Sequence, residues 1–299
     1  MTVREYEGHR IEIKRGDKVL FPDTEYSKRD LVDYYSRVAP WILPHTTGRP
    51  LTLKRYPDGI GKAGFFQKEA PAAYPEWIER IPVHTSKGEQ PMLNADSVGA
   101  LAFVANQGAV ELHVGLSKYP DLDFPDQLIF DLDPQDGDFS KVQQAARDTH
   151  TLCEELGLPA FLKTTGSKGL HVVIPIEPEY SFDVVRNFAR NFAQILVDRY
   201  PDRYTLEHRI NKRGNKLYLD VLRNGTAQTA ITPYSVRALP GAPVATPLDW
   251  DELGGKNMRS DKYNLGNILR RLGQKDDPWQ SFHSDAVRLS HVMNEVGKN

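Results

Sequence analysis

Two aspartates separated by one residue end an apolar stretch near the middle of the chain. The stretch reads QLIFDLDP over residues 127–134, with acids at Asp131 and Asp133. If it forms a buried strand, both acids lie on one face, because side chains alternate with a period of two, and their Cα atoms lie roughly 7 Å apart. Carboxylates at this spacing can share two divalent cations about 3.5–4 Å apart, an arrangement used for phosphoryl and nucleotidyl transfer. The alternative is an acidic strand end beside the turn at residues 134–138.

Further residues suited to the same chemistry lie elsewhere in the chain. Asp220 follows three strand-like residues and is a candidate third carboxylate, with Arg223 three positions beyond it. Glu111 and His113 share one face of a predicted strand over residues 109–114. A lone histidine in a strand is more often structural than catalytic, so the carboxylates are the stronger signal.

A small polar turn carries the second candidate site. Residues 164–171 read TTGSKGLH and separate two predicted strands, 160–164 and 170–175. The pattern is not a phosphate-binding loop of the G-x-x-x-x-G-K-[ST] type, because that motif is absent and a strand follows. Successive backbone N–H groups, with Ser167 and Lys168, are nevertheless expected to form a nest for the anionic groups of a triphosphate. The alternative is an ordinary hairpin turn.

The first hundred residues contain two candidate contacts for nucleic acid. Ser27 is predicted to cap a helix over residues 28–41, and Lys18 and Lys28 flank its start, where a phosphate could bind. Phe65 and Phe66 are adjacent on a short strand and therefore face opposite ways. One of them could stack on a base, a contact worth about 1–3 kcal/mol. Solvated lysines and a phenylalanine buried under a neighbouring loop are the alternatives.

The elements that must position these residues are predicted from hydrophobic periodicity and turn signals. A polar loop over residues 84–90 joins two strands. An amphipathic helix is predicted over residues 139–156, a long helix with an apolar stripe over 182–199, and a basic helix over 257–272.

Composition restricts the class of protein. The chain has 299 residues, of which 39% are hydrophobic and 26% charged, and its net charge is −2. No apolar run reaches the 18 or so residues of a membrane-spanning helix, and the N-terminus lacks the apolar core of a signal peptide. Cys153 is the only cysteine, which excludes an internal disulfide, and it is expected to be a small buried residue of a helix.

Taken in order, the motifs resemble one family. The chain is similar to the polymerase domain of the ATP-dependent DNA ligases of bacterial end joining (ligase D), a branch of the archaeo-eukaryotic primase superfamily. The resemblance runs over nearly the whole chain. It rests on E-x-H at 111–113, D-x-D at 131–133, T-x-G-S-K-G-L-H at 164–171, D-V-x-R-N at 220–224 and the run from Tyr234 to Trp250.

The resemblance implies roles for particular residues. Asp131, Asp133 and Asp220 would be the catalytic acids and would hold two ions, Mn²⁺ or Mg²⁺. The other implied roles fall into three groups. Nucleotide binding is implied for His113, Thr165, Ser167, Lys168, Arg223 and Arg237, binding of a downstream 5′-phosphate for Lys18 and Lys28, and template contact for Lys54, Arg55, Phe65 and Phe66. The loop at residues 81–92 corresponds to a mobile loop implicated in bridging DNA ends.

We therefore expect an α/β (α+β) fold of the primase type, with a mainly antiparallel central sheet, a second smaller sheet and flanking helices. Residues 1–299 are expected to form one catalytic domain, with phosphate and template contacts in about 1–108 and the catalytic part in about 109–299. The expected function is template-directed nucleotidyl transfer onto 3′ ends at DNA breaks, with ribonucleotides favoured over deoxyribonucleotides.

The expected partners are gapped DNA with a 5′-phosphate, nucleoside triphosphates, Ku and an ATP-dependent DNA ligase, in the cytoplasm and associated with the nucleoid, with no membrane. Three alternatives stay open. They are a primase that starts strands de novo, a non-catalytic DNA-end-binding module that recruits repair partners, and a metal-dependent nuclease.

Overall fold

The structure is a computed structural model that describes residues 2–85 and 88–297. The strands are β1 (Thr2–Tyr6), β2 (His9–Ile13), β3 (Val19–Phe21), β4 (Tyr26–Ser27), β5 (Leu51–Arg55), β6 (Phe65–Gln67), β7 (Arg80–Thr85), β8 (Gly88–Leu93), β9 (Ala109–Gly115), β10 (Gln127–Leu132), β11 (Phe161–Thr164), β12 (Leu170–Pro175), β13 (Tyr204–Thr205), β14 (Leu217–Asp220), β15 (Thr229–Ile231) and β16 (Pro247–Leu248). The α-helices are α1 (Lys28–Thr46), α2 (Val98–Asn106), α3 (Phe139–Glu155), α4 (Phe182–Arg199), α5 (Ile268–Leu272) and α6 (Met293–Val296). Short 3₁₀ turns cover Ile210–Lys212, Leu222–Asn224, Trp250–Gly254 and Leu289–His291.

The chain forms two compact units, each built from three separate segments. The first unit comprises the segment ending at Pro120, Thr229–Thr246 and Tyr263–Lys275. The second comprises Asp121–Gln228, Pro247–Lys262 and the segment beginning at Asp276. These units do not coincide with the predicted parts at about 1–108 and 109–299, because later segments return to the first unit.

The first unit is a six-stranded antiparallel sheet with helices α1 and α2. The strand order is β15-β9-β5-β8-β7, and β6 also pairs with β5. Ser27 caps α1 as predicted: its hydroxyl accepts from the Asp30 N–H, and the Asp30 carboxylate accepts from the Ser27 N–H at 2.7 Å. Apolar side chains of both helices and the sheet form one core, and Tyr35 within it donates to the Val110 carbonyl at 2.8 Å.

The second unit is a six-stranded sheet in the order β13-β14-β10-β12-β11-β16, antiparallel except for β13 and β14. Strand β10 lies inside the sheet and is buried along its whole length, so its polar residues must have partners within the protein. The rings of Phe130 and Phe192 pack at 4.8 Å and join β10 to α4. Cys153 is buried in α3, as predicted.

The predicted fold class is confirmed, but the size of the second sheet, the length of the loop at residues 84–90 and the helix at residues 257–272 differ from the prediction. The second sheet is not smaller, since each main sheet has six strands. The loop at residues 84–90 is shorter, because the β7–β8 pairing continues to Thr85 and Gly88. The mobile tip expected there falls on residues 86 and 87, which lie outside the described residues.

The predicted helix over residues 257–272 is wrong except for α5. Asn257 adopts a left-handed backbone conformation, and the Asn264 side chain accepts from the Gly266 N–H at 3.0 Å, so local turns replace helical bonds. The Tyr263 carbonyl accepts from the Val244 N–H at 2.9 Å, which ties this segment to a neighbouring extended stretch. No helix in the part of the chain that the structure describes is long and apolar enough to cross a membrane.

Candidate active site

The acidic strand lies at the centre of a polar cluster in the second unit. Asp131 in β10 is paired by register with His171 on one side and with Asp220 on the other. Directly opposite residues point to the same face of a sheet, so these three side chains share a face. Asp131 is only 7% exposed. The pairing of β10 with β14 thus places two of the three predicted acids, Asp131 and Asp220, side by side.

The third acid, Asp133, lies just beyond the end of β10 and is exposed. Its Oδ1 atom lies against Gly169, where a Cβ would overlap both that oxygen and the Leu132 carbonyl. Position 169 therefore requires glycine because Asp133 and Leu132 lie too close for a side chain, and not because of an unusual φ. The same contact brings the lysine-bearing turn next to the acidic strand.

Asp131 is ionised and held by a cation. Its Oδ2 accepts from Arg223 Nε at 3.1 Å, and its Oδ1 lies 3.4 Å from His171 Nε2. Burial opposes ionisation, but His171 and Arg223 outweigh it and hold the pKa of Asp131 well below its ordinary value. Burial and the charge of Lys163 lower the pKa of His171 to about 4, so at neutral pH Arg223 supplies the positive charge.

Arg223 is positioned by the residue that follows it. Asn224 is 1% exposed, and its side-chain amide exchanges two hydrogen bonds with the backbone of Ile129, each 2.8 Å long. The Asn224 amide thereby occupies the place of a strand partner along β10, beyond the point where β14 stops pairing. It also donates to the Val221 carbonyl at 2.9 Å, which closes the turn that carries Arg223.

The pKa of Asp220 is shifted in the opposite direction to that of Asp131. Burial raises its pKa, the N–H of Leu222 at 2.8 Å acts against this, and the charge of Asp131 raises it further. The two facing carboxylates repel each other, which contributes to the raised pKa of Asp220.

The chemistry of these residues fits divalent cations, although their side chains do not form a complete cage. Asp131 Oδ1 is buried and accepts no hydrogen bond within the described part of the chain. An orphaned carboxylate oxygen beside a second carboxylate of raised pKa is where a hard cation would be favourable. However, within residues 2–85 and 88–297 no three His, Cys, Asp or Glu side chains are grouped so that they could hold a metal.

The lysine turn is a hairpin turn organised by Thr165. The Thr165 hydroxyl accepts from the N–H groups of Ser167 at 3.3 Å and Gly169 at 3.2 Å. The predicted nest is therefore wrong for these two N–H groups, which are already bonded. Lys168 is exposed and Ser167 is half-buried, so their side chains are the groups offered to a ligand. Ser260 donates to the Gly169 carbonyl at 2.7 Å and fixes the turn from a distant segment.

In the first unit, His113 and Arg237 meet at a buried carboxylate. Glu111 is 2% exposed, and its Oε2 lies 3.0 Å from His113 Nε2 and 3.5 Å from Arg237 Nε. Lys54 Nζ lies 3.6 Å from Glu111 Oε1. Three of the predicted nucleotide- and template-binding residues are thus brought together around one acid.

Both phenylalanines predicted to contact a template are exposed, Phe65 by 48% and Phe66 by 60%. The expectation that one is buried under a loop is wrong. Lys54 lies over the Phe66 ring and Arg55 over the Phe65 ring, on opposite faces of the strand pair. Arg55 also donates to the Gln107 carbonyl and to Gln67 Oε1, so several of its donors serve the fold.

Lys18 and Lys28 are neighbours across the β3–β4 pair. The Lys28 N–H donates to the Lys18 carbonyl at 2.8 Å, and Lys18 Nζ forms an ion pair with the exposed Asp58 at 2.5 Å. Partial burial and the charges of Lys18 and Arg15 lower the pKa of Lys28. Crowded positive charge at the N-terminus of a 19-residue helix favours an anion.

Sequence reasoning did not assign site roles to four residues that organise these clusters: His171, Asn224, Glu111 and Ser260. His171, Asn224 and Glu111 lie inside the motifs at 164–171, 220–224 and 111–113, so their type and position were visible. Ser260 lies 91 residues from Gly169, its partner, and no local pattern predicts that contact.

A mixed α/β fold with two largely antiparallel sheets, bearing facing acids on two adjacent inner strands, defines a protein of the archaeo-eukaryotic primase type. The chain belongs to the family of the LigD primase-polymerase domain, whose model matches residues 27–279.

Similar proteins cover nearly all of the chain. The multifunctional non-homologous end joining protein LigD of Pseudomonas aeruginosa is 33% identical over 95% of this chain and 34% of its own length. The bifunctional LigD of Bacillus subtilis is 29% identical over 94% of this chain and 46% of its length. The polymerase domain of Mycobacterium tuberculosis ligase D, solved in complex with DNA, superimposes with a TM-score of 0.87 at 32% identity. That match covers 93% of this chain and 99% of that domain. The chain thus spans about a third to a half of the curated relatives' length.

Proposed function

We propose that this chain is a template-directed nucleotidyltransferase that extends 3′ ends and fills gaps at DNA double-strand breaks during end joining. The observation that carries the proposal is the pairing of Asp131 with Asp220 across β10 and β14 in a chain of this family. The relatives' names, which refer to non-homologous end joining, and the related domain's complex with DNA support it.

Asp131, Asp133 and Asp220 would hold two divalent cations, Mn²⁺ or Mg²⁺. When bound, such cations favour ionisation of a 3′-hydroxyl and neutralise a triphosphate and its leaving pyrophosphate. The protein's own contribution is to present the facing carboxylates of Asp131 and Asp220 on adjacent strands. Burial of Asp131 in the sheet fixes one of them in place.

The triphosphate of the incoming nucleotide would be bound by Ser167 and Lys168 on the turn and by Arg223. Cationic and hydroxyl groups suit this role, because negative charge moves towards the leaving group as the bond to the α-phosphate breaks. The Arg223 side chain is 45% exposed although it pairs with Asp131, so it can reach a ligand from that position. We assign nucleotide binding also to His113 and Arg237, and a preference for ribonucleotides.

Thr165 would act on the nucleotide indirectly. Thr165 is only 5% exposed, and its hydroxyl already accepts from two backbone N–H groups of the turn. We therefore assign it the shaping of the turn that presents Lys168.

DNA would be held by the first unit. Lys18 and Lys28 would bind the 5′-phosphate of the downstream strand, and exposed Phe65 or Phe66, with Lys54, would contact the template. Ku and an ATP-dependent DNA ligase are the proposed protein partners, in the cytoplasm.

The test is primer extension on a gapped, 5′-phosphorylated duplex with Mn²⁺ and either ribonucleoside or deoxyribonucleoside triphosphates. We expect templated extension by the wild type and a loss of at least about a hundredfold in Asp131→Ala/Asp133→Ala, since the variant lacks two of three ligands. Extension that survives in this variant would refute the mechanism. Synthesis without a primer would favour a primase.

A non-catalytic DNA-end-binding module is the second candidate. It is favoured by the ion pair between Arg223 and Asp131. Among the described residues, no three His, Cys, Asp or Glu side chains are grouped to hold a metal ion. Tight binding to gapped DNA without extension in either Mn²⁺ or Mg²⁺ would establish this alternative.

A further inference from the structure

Glu111 is a buried carboxylate with several donors close to its two oxygens. Its Oε2 accepts from His113 Nε2 at 3.0 Å, and its Oε1 accepts from the Ala238 N–H at 3.0 Å. Arg237 Nε and Lys54 Nζ lie 3.5 Å and 3.6 Å from its oxygens. The partners come from β5, from β9 and from the segment after β15, so one side chain joins three parts of the first unit.

The group is an anion at neutral pH. Burial by itself raises its pKa, but the His113 contact, the Arg237 charge and the Ala238 N–H lower the pKa of Glu111 to about 2. A buried charge is retained only where such partners surround it. The positions of the partners and of the carboxylate are therefore mutually dependent.

The partners reach from Glu111 towards the surface. Lys54 pairs with Glu111 across β5 and β9 and with Phe66 across β5 and β6, so the three residues form a row across the sheet. Lys54 Nζ also lies 5.6 Å from the centre of the Phe66 ring, and the rings of Phe66 and His113 meet edge to face at 5.9 Å. Phe66 is exposed, so Glu111 lies beneath an accessible layer of aromatic and cationic groups.

We propose that Glu111 is a positioning residue that sets the orientation of His113 and Arg237 for the incoming nucleotide and of Lys54 beneath the template. The inference rests on the proposed function and deepens it, because it makes nucleotide affinity depend on a residue that does not touch the nucleotide. When His113 donates through Nε2 to Glu111, this hydrogen bond sets the orientation of the ring. The Arg237 guanidinium is held near the same carboxylate by charge, with Nε 3.5 Å from Oε2.

A purely structural role would give a different result. If Glu111 only stabilises the first unit, its loss would lower the melting temperature and leave nucleotide binding by the folded protein unchanged. If Glu111 positions His113 and Arg237, affinity for the triphosphate falls even under conditions where the variant is fully folded.

The first experiment compares Glu111→Gln with the wild type at a temperature where both are folded. The probes are equilibrium binding of a non-hydrolysable ribonucleoside triphosphate with Mn²⁺, and the separate KM and kcat of gap filling. We expect the Kd and KM to rise roughly tenfold or more, the effect of losing a charge-assisted contact, with a much smaller change in kcat. An unchanged Kd and KM would overturn the proposal.

Thr232→Val is the matched control. The Thr232 hydroxyl is buried and donates to the Leu112 carbonyl at 2.9 Å, on the same strand as Glu111, and the substitution preserves shape. The substitution removes a hydrogen bond to β9 and leaves the side chains of His113, Arg237 and Lys54 unchanged. We expect nucleotide affinity to stay at the wild-type value, and an equal loss in both variants would indicate a structural effect only.

A double-mutant cycle tests whether Glu111 acts through its partners. In a His113→Ala or Arg237→Ala background, Glu111→Gln should weaken nucleotide binding by clearly less than it does in the wild type. Full additivity in both backgrounds would contradict positioning.

Glu111→Asp keeps the charge and is the variant to use if Glu111→Gln does not fold. It should give an intermediate Kd, because its shorter side chain reaches fewer partners, and wild-type affinity would overturn the proposed geometry.

The binding measurement also separates this inference from the proposed function. If the wild type binds the nucleotide but never extends a primer, the proposed function fails while the Glu111 comparison still gives a result. If the wild type extends and Glu111→Gln matches it in both Kd and KM, only the inference fails.

Discussion

Arg223 Nε lies 3.1 Å from Asp131 Oδ2, and the next residue, Asn224, is hydrogen-bonded to the backbone of the strand that carries Asp131. Arg223 and Asp131 are therefore fixed relative to each other by the Asn224 amide, which bonds to β10 as a neighbouring strand would. A change in the Asn224 side chain should affect both the stability of the sheet and the position of Arg223.

Asn224→Ala should lower the free energy of unfolding by about 2–4 kcal/mol. The variant leaves the N–H and C=O of Ile129 without the bonds that Asn224 makes, and each buried unsatisfied group costs about 1–3 kcal/mol. Urea unfolding measures the change. Gln194→Ala, which removes one bond on a helix surface, should stay within about 0.5 kcal/mol of the wild type. Equal effects in the two variants would contradict the role of Asn224.

Gly169→Ala should impair the lysine turn. The added Cβ overlaps the Asp133 carboxylate and the Leu132 carbonyl, and relief requires the turn or the acid to move, at a cost of about 1–3 kcal/mol. Primer extension should fall strongly, because the two proposed site elements separate. Gly254→Ala in the same unit meets only an arginine nitrogen at 3.7 Å and should retain activity. Wild-type activity in Gly169→Ala would mean that Asp133 and the turn are not mutually positioned.

Glu111 should make stability depend on pH. Its folded-state pKa of about 2 lies below the ordinary value, so its ionised form stabilises the fold above about pH 5, and this stabilisation is lost as the pH falls towards 2. The difference in unfolding free energy between wild type and Glu111→Gln should therefore be largest near neutral pH, at about 3 kcal/mol, and should shrink in acid. Urea unfolding between pH 3.5 and 7 measures it. A difference that does not vary with pH would mean that the ionised carboxylate is not the stabilising form.

Lys18→Ala/Lys28→Ala should discriminate between DNA substrates. Binding to a gapped duplex with a 5′-phosphate should weaken by about tenfold or more, because charge-assisted bonds to the phosphate are lost. Binding to an otherwise identical unphosphorylated duplex should change little, as measured by fluorescence anisotropy at one salt concentration. Equal losses on both substrates would make the lysines general backbone contacts.

Local patterns were sufficient to predict the elements that carry the candidate site. Alternation and burial predicted β10 with its acids, and glycines predicted the turn between β11 and β12. Register between distant strands could not be predicted, because alternation assigns a residue to a face but not to a neighbour. The contact of Asp131 with His171 depends on such register, and the contact of Glu111 with Ala238 joins segments 127 residues apart. The helix expected at residues 257–272 failed for a related reason, since backbone bonds to a distant segment override local propensity.

The order of segments along the chain has a consequence for synthesis on the ribosome. Strand β9 carries Glu111 and His113, but its outer neighbour β15 is made over a hundred residues later, a delay on the order of ten seconds at about 5–20 residues per second. During that interval β9 presents an unpaired edge, which can template wrong pairing with another chain. Nascent chains should therefore need protection until Thr229–Ile231 emerge, and a chain cut between β9 and β15 should aggregate rather than fold as a smaller unit.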